Sequence, residues 1–212
     1  MSRLICLANS RKHNDRCIAG IDVSTGKWVR PVTTLDDGRI PVNMSLIDGE
    51  HIQLLDIVDI PLSNTGHGYE CENRLILEGA WRRIGRVRIE EIIPYCESAI
   101  LHSHRSDWLN AIPYSYISSL PENQRRTLQI VKVNGFRTWR NNYGKWKGAI
   151  PLQGDQRLVS NVTDPEICAK LDNGYTLSAK CLVVLSLGQP WKKPSSGDEL
   201  LCYRLVAGVV EL

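Results

Sequence analysis

The stretch GFRTWRNNYGKWKG, at 135–148, gathers residue types that can hold a flat, negatively charged ligand. It contains two of the chain's six tryptophans, its only phenylalanine, a tyrosine and four basic residues, with no acid among them. Aromatic faces stack on bases and cationic side chains follow phosphates, so this mixture is the chemistry of single-stranded nucleic-acid binding. The same residues also fit an ordinary hairpin, with Phe136 and Trp139 in a core and Arg and Lys solvating the tip. Side chains alternate faces along a strand. Arg137 and Trp139 therefore share one face, and Phe136, Thr138 and Arg140 the other. On the return, Trp146 points opposite to Lys145 and Lys147. With apolar residues on both faces, some rings are exposed unless a bulge, for which Gly135 is the natural place, resets the register. Asn141-Asn142 is the expected turn, because Asn tolerates positive φ. The nucleic-acid reading assigns stacking to Trp139, Trp146, Tyr143 and Phe136, and phosphate contacts to Arg137, Arg140, Lys145 and Lys147.

Charge distribution points the same way. The chain carries a net +3, too little to indicate a polyanion partner. From Asn123 to Gly154, however, there are seven bases and no acid, so this window is +7 and the remainder sums to −4. Localised positive charge is the usual footprint of nucleic-acid binding, although a solvated basic face has the same composition. A matching constellation in the first half is Trp28 with Lys27, Arg30 and Arg16, against the alternative of a core tryptophan. WRRIGRVR at 81–88 adds Arg82, Arg83, Arg86 and Arg88, and reads as a solvated strand face partly offset by the following Glu-Glu.

The segment NSRKHNDRC, at 9–17, reads as a polar loop between two strands. Ser10, Lys12, His13 and Arg16 make it a candidate phosphate- or ligand-contacting loop. Cys17 with His13 would be a nucleophile–base pair only if the fold brought them within hydrogen-bond reach, and no local signature surrounds them. No catalytic residue is assigned. No metal or cofactor is expected: ligand pairs at zinc spacing are absent, and His102 and His104 of HSH would face different ways on a helix. P-loop, GxGxxG, GxSxG and HExxH patterns are also absent.

Positioning these residues calls for many short strands. RLICLA (3–8), CIAGIDV (17–23), KWVRPV (27–32), HIQLLDIVDIPL (51–62), NRLILEG (73–79) and GRVRIEEI (85–92) are apolar runs separated by turn signals. The 94–126 region carries mixed three- and four-residue spacings and reads as two or three short helices, one capped by Ser106 or Asp107. Strands resume with TLQIVKV (127–133), GYTLSAKCLVVLSLG (174–188) and LLCYRLVAGVVEL (200–212). The loop GQPWKKPSSGD separates the last two. DPEICAKL (164–171) reads as a short helix with Asp164 as cap and Pro165 at its first position. Gly-Lys-Trp occurs twice, at 26–28 and 144–146, a faint echo of two related halves.

The bulk numbers suit such a protein: 212 residues, 42% hydrophobic and 23% charged, values of a globular chain with a real core. The seven cysteines are widely spaced, lack CxxC pairs and mostly sit in apolar runs, as buried reduced thiols do. The start lacks a signal-peptide pattern and no apolar run reaches membrane-spanning length. A cytoplasmic, non-membrane protein is expected.

The start LICLANSRKHNDRCIAGIDVSTGKWVRPV, the strand LLDIVDIPL, the ENRLIL segment and the end LSLGQPW through YRLVAGVVEL resemble the bacterial dual OB-containing domain family. The resemblance implies a mainly β fold of two five-stranded OB-like β-barrels joined by short helices: a first barrel over 1–93, a helical connection over 94–126 and a second barrel over 127–212. OB barrels often bind oligonucleotides or oligosaccharides on one sheet face. The expected function is a non-enzymatic module in a bacterial cytosol that binds single-stranded or locally opened nucleic acid through aromatic stacking and Arg/Lys phosphate contacts. A sensor of a small nucleotide or modified base, and a scaffold with a protein partner, are the alternatives.

Overall fold

The structure, a computed structural model, describes residues 1–192 and 198–212. The expected loop after Gly188 therefore lies partly outside the described residues. Strands make up 44% of the chain and helices 14%, which makes the fold mainly β. The chain divides into two compact units, Met1–Pro94 and Tyr95–Leu212, so the 94–126 region falls almost wholly in the second. Among the described residues no helix is long and apolar enough to cross a membrane.

The strands of the first unit are β1 (Ser2–Lys12), β2 (Asp15–Asp22), β3 (Trp28–Val32), β4 (Leu46–Ile47), β5 (Glu50–His51), β6 (Asp56–Ile60), β7 (Asn73–Leu75) and β8 (Arg82–Arg86). Most fall within the expected apolar runs, but β4 lies in none of them, and of GRVRIEEI only Gly85 and Arg86 are strand: Ile89–Glu91 is a 3₁₀ turn, closed by Glu91 Oε1 accepting from the Arg88 N–H at 3.0 Å. Six of them form one sheet in the order β7-β3-β2-β1-β6-β8, while β4 and β5 pair separately. The pairing of β3 with β7 is parallel. The sheet is not closed by its named ladders. Its two end strands are nevertheless neighbours in sequence. The chain just beyond β6 also bonds to the chain at and just beyond β7: Ser63 N–H donates to Leu75 O at 2.8 Å, Leu75 N–H to Thr65 O at 2.9 Å and Leu77 N–H to Pro61 O at 2.9 Å. The inner side is a packed cluster of Leu4, Cys6, Ile18, Val29, Ile40, Ile52, Val58 and Ile60 with their neighbours.

In the second unit, β9 (Ala111–Pro113), β10 (Leu128–Asn134), β11 (Arg137–Arg140), β12 (Trp146–Pro151), β13 (Arg157–Val162), β14 (Lys180–Leu187) and β15 (Leu201–Glu211) form a seven-stranded sheet. Its main path runs β10-β14-β15-β13-β12-β11, with β9 beside β15. Here too the ends of the path, β10 and β11, are consecutive in sequence. Only Gly135 and Phe136 lie between them. Both backbone N–H groups donate to Ala179 O, at 2.8 and 3.0 Å, and Gly135 has φ 93°. Two donors on one carbonyl, with the first residue a left-handed glycine, is a β-bulge. It turns the strand from β14 onto β12, and its extra residue sends Phe136 inward with Val133 instead of continuing strict alternation.

The middle region differs from expectation. The helix drawn through DWLNAI stops after one 3₁₀ turn, Ser106–Trp108, and Ala111–Pro113 is strand β9. The residue at the cap position is Arg105, which makes no side-chain cap bond; Asp107 lies inside the turn and pairs with Arg105 at 2.9 Å, and the Ser106 side chain lies outside what the structure describes. The one longer helical piece is α1 (Tyr114–Ser119). Ile112 on β9 and Ile117 on α1 are fully buried. Pairing of β9 with the long β15 thus outweighs weak helical spacing. None of the seven cysteines is in a disulfide.

Helix α2 (Pro165–Asp172) forms as its sequence suggests. Asp164 caps it, accepting from the Glu166 and Ile167 N–H groups at 3.0 and 3.2 Å, with Pro165 in the first turn. The carboxyl is almost fully buried, and burial pushes its pKa up to about 6 against the opposing pull of the Ile167, Glu166 and Val209 backbone amides. The fold thus favours the protonated acid. Between about pH 4 and 6 the folded chain holds a proton that the unfolded chain releases, so this group's stabilisation is lost as pH rises through 6. Asp164→Asn keeps a good cap and removes the titration. Its stability relative to the native chain should rise by up to about 3 kcal/mol from pH 4 to pH 7 in denaturant unfolding. A difference that stays constant with pH would contradict the assignment.

Candidate nucleic-acid interface

Strands β11 and β12 pair with Arg137 opposite Ala149, Trp139 opposite Lys147 and Arg140 opposite Trp146. Directly opposed residues share a face. One face therefore carries Phe136, Thr138, Arg140, Trp146 and Gly148, and the other Arg137, Trp139, Lys147 and Ala149. The first is the core side. Phe136 is only 3% exposed and lies so close to Gly148 that a Cβ there would stand 2.9 Å from its ring. Phe136 is a core residue and stacks on no ligand, which corrects the sequence reading. The bulge accounts for its inward turn.

Arg140 and Trp146 are also engaged by the protein. The Trp146 Nε1–H donates to Asp172 Oδ1 at 2.7 Å, and Arg140 Nη2 approaches the same oxygen at 2.6 Å. The guanidinium also sits 5.5 Å from the Trp146 ring centre. Together they latch the hairpin to the C-terminal end of α2. Both were expected on the ligand, and the structure turns them away from the face that carries Trp139.

The outward face is different in kind. Trp139 is 41% exposed, and Tyr143, in the turn, 88%. The turn itself is built by Asn141, whose Oδ1 accepts from the Tyr143 and Lys145 N–H groups at 3.0 and 2.8 Å. Gly144 at φ 70° completes it. The Asp22 turn before Trp28 is one residue longer but uses the same devices: Asp22 Oδ1 accepts from the Ser24 and Thr25 N–H groups, and Gly26 has φ 67°. Each Gly-Lys-Trp thus follows a turn opened by an Asp or Asn side chain and completed by a left-handed glycine. The strands it opens have different neighbours, β2 and β7 for β3 against β11 and β13 for β12.

The outward face continues onto β13, where Lys147 pairs with Asn161, Ala149 with Val159 and Pro151 with Arg157. Leu158 and Val162 point into the core, so Arg157, Val159 and Asn161 point out. Asn161 in turn stands beside Leu205 of β15. A row of side chains crosses four strands: Trp139, Lys147, Asn161 and Leu205. Arg137 and Arg157 both lie to one side of it, Arg137 in the next row, with Ala149 and Val159, and Arg157 in the row after that, and no outward residue of β11, β12 or β13 is an acid. Lys147 is half-buried, and burial together with Lys145 pushes its pKa down. A cation held without a carboxylate in this way gains from an anionic ligand. Further along the outward side of β15, Tyr203 meets Trp191 edge to face at 5.8 Å, with Trp191 54% exposed. Sequence reasoning missed Arg157, Asn161, Trp191 and Tyr203. The alternation in RLVSNV was the available signal for the first two.

The matching constellation in the first unit does not form. Trp28 is 9% exposed and Arg30 is buried. Arg30 Nη1 lies 3.2 Å from Glu70 Oε1 and 3.3 Å from Asn73 Oδ1, and its backbone N–H donates to Glu72 O at 2.9 Å. Burial alone would lower the Arg30 pKa, but Cys17, Glu70 and Glu72 more than reverse that. Its charge is spent on the protein's own carboxylates. Trp28 and Arg30 are therefore withdrawn from any surface, while Lys27 stays exposed in its turn. Gly66 and Gly68 let the 66–73 segment fold closely on itself: a Cβ on Gly66 would stand 2.3 Å from Asn73 O, and Gly68 has φ 89°.

Nor is 9–17 a loop. The strands continue to a two-residue turn, with Lys12 opposite Asp15 and His13 at φ 54°. Ser10 is buried, its hydroxyl 3.4 Å from Cys17 O. Lys12 donates to Asp37 O, His13 lies 3.5 Å from Asp37, and Arg16 lies 3.4 Å from His51. Arg39 bridges Asp15 and Asp37 at 3.0 and 3.1 Å. Two carboxylates at this tip make it a poor place for a phosphate. Among the described residues no group of His, Cys, Asp or Glu has the arrangement of a metal site.

A family model, that of the dual OB-containing domain, matches residues 2–209. No curated protein and no solved structure matches the chain.

Proposed function

The chain belongs to the dual OB-containing domain family, and from that membership we propose a nucleic-acid-binding module whose ligand is a single strand laid across the outward face of β11, β12 and β13. Each unit is read as an OB-type ring of five strands. In the second, β10 and β11 are two halves of one strand bent at Gly135. In the first, β7 and β8 are two halves of another. Support comes from the sheet orders, whose two ends are consecutive in sequence in both units, and from the bonds of 61–65 to 75–77. OB-type rings bind on the face of their second and third strands and on the loops after the first and fourth. In the second unit those are β12 and β13, the Asn141–Lys145 turn with Tyr143, and the Trp191 loop. The observation that carries the proposal is the acid-free outward face on which the row of Trp139, Lys147 and Asn161 is followed, on one side, by Arg137 and then Arg157. The first unit, with Arg30 closed off by Glu70, contributes no equivalent face.

Cationic contacts to a single strand give a log–log salt slope of about −0.7 per phosphate. Changing Arg137, Lys147 and Arg157 together to Met should flatten the slope by about 2 and weaken binding at low salt for every base composition. Fluorescence anisotropy across a salt series checks this. An unchanged slope would move the phosphate contacts off this face.

A further inference from the structure

Asn161 is the one amide in the outward row, and its Oδ1 is shut off from solvent without accepting a hydrogen bond. An orphaned acceptor of this kind costs free energy in the unliganded fold and calls for an explanation. Its register neighbours are Lys147 on one side and Leu205 on the other, both half-buried. Both have long, rotatable side chains. Resting on the single-strand reading above, we infer that Asn161 is a base-reading residue that selects a nucleobase bearing an exocyclic amino group.

A base stacked on Trp139 brings its phosphate to Lys147, the next strand over, at the usual inter-strand step of about 4.8 Å. Drawing the Lys147 ammonium onto that phosphate uncovers the Asn161 amide one strand further. The following base then meets Asn161 with its edge. Because the acceptor is recessed, the donor must reach into it. An amino group at the corner of adenine or cytosine projects beyond the ring and can do so. The N3–H of uracil or thymine sits between two carbonyl oxygens, which would be pressed against the same recessed oxygen. The pairing is the side-chain amide to amino-base contact known from base-edge recognition in general.

The test compares oligodeoxycytidine with oligodeoxyuridine of equal length, ligands that differ at C4 by amino against carbonyl. A second pair compares oligodeoxyadenosine with the purine analogue lacking the amino group. Native protein should bind the amino member of each pair about fivefold more tightly, the worth of one hydrogen bond. Asn161→Ala should erase that ratio within each pair. Equal affinities within each pair for the native chain, or a ratio that survives Asn161→Ala, would overturn the inference and leave the single-strand reading standing. Failure to bind any of the four oligomers would overturn both. The ligand-side substitution needs no variant, so the inference can be tested even if Asn161→Ala folds poorly.

Discussion

Glu70→Gln should destabilise the first unit by about 3–5 kcal/mol, the range for breaking a buried ion pair by removing one partner. The reason lies in what is left behind. Arg30 and Glu70 are both nearly inaccessible, 3.2 Å apart. Glu70 Oε2 also accepts from Asn73 Nδ2 at 3.0 Å, which ties the pair to β7. Without the Glu70 carboxylate, the guanidinium keeps its desolvation penalty and loses a countercharge 3.2 Å away. Glu72 remains close, but its role in charge balance was shared with Glu70. Denaturant unfolding read through Trp28 and Trp81, the two tryptophans of this unit, measures the loss. The double variant Arg30→Met/Glu70→Leu should recover most of it, since an apolar pair of similar volume removes both charges at once. A single variant as stable as the native chain would show that the pair is not held as the structure has it.

The second large effect is on binding. Trp139→Ala should weaken single-strand affinity by about 5- to 150-fold, the worth of one base stacked on an aromatic face. Trp139→Phe should retain most of the affinity, because a smaller ring still offers a face. Trp146 is the control. It lies in the same hairpin, but its indole faces the core side and donates to Asp172. Trp146→Phe should cost some stability through the lost hydrogen bond and change affinity by less than about twofold. Loss of binding in both variants alike would mean that the hairpin as a whole, not its outward face, meets the ligand.

These two effects fall where the sequence was least and most legible. In the hairpin, alternation separated Arg137 and Trp139 from Phe136 and Arg140, and the glycine marked the bulge. Alternation cannot say which face is inside. That depends on where β12 and β13 lie, and RLVSNV was not recognised as a strand, so Arg157 and Asn161 went unnoticed. In the first unit, Trp28, Lys27 and Arg30 looked like a second binding patch. Their fate was decided by Glu70, forty residues further along the chain, and no local pattern reports a contact of that kind. The 9–17 segment misled because its polar residues sit on strand ends that bond to one another and to Asp37, while composition alone suggested a loop. The apolar strands β1, β2, β3, β6, β10, β14 and β15 and the Asp164 cap were local matters and could be read directly. The apolar spacing around Asp107 was read as helical, but pairing of β9 with β15 overrode it.

The most direct test of the central claim is a titration of one labelled single-stranded oligonucleotide, and its duplex, with the native chain at low and then moderate salt. Saturable binding that prefers the single strand and weakens steeply with salt is the predicted result. No binding at low salt, or tighter binding to the duplex with little salt dependence, would contradict it.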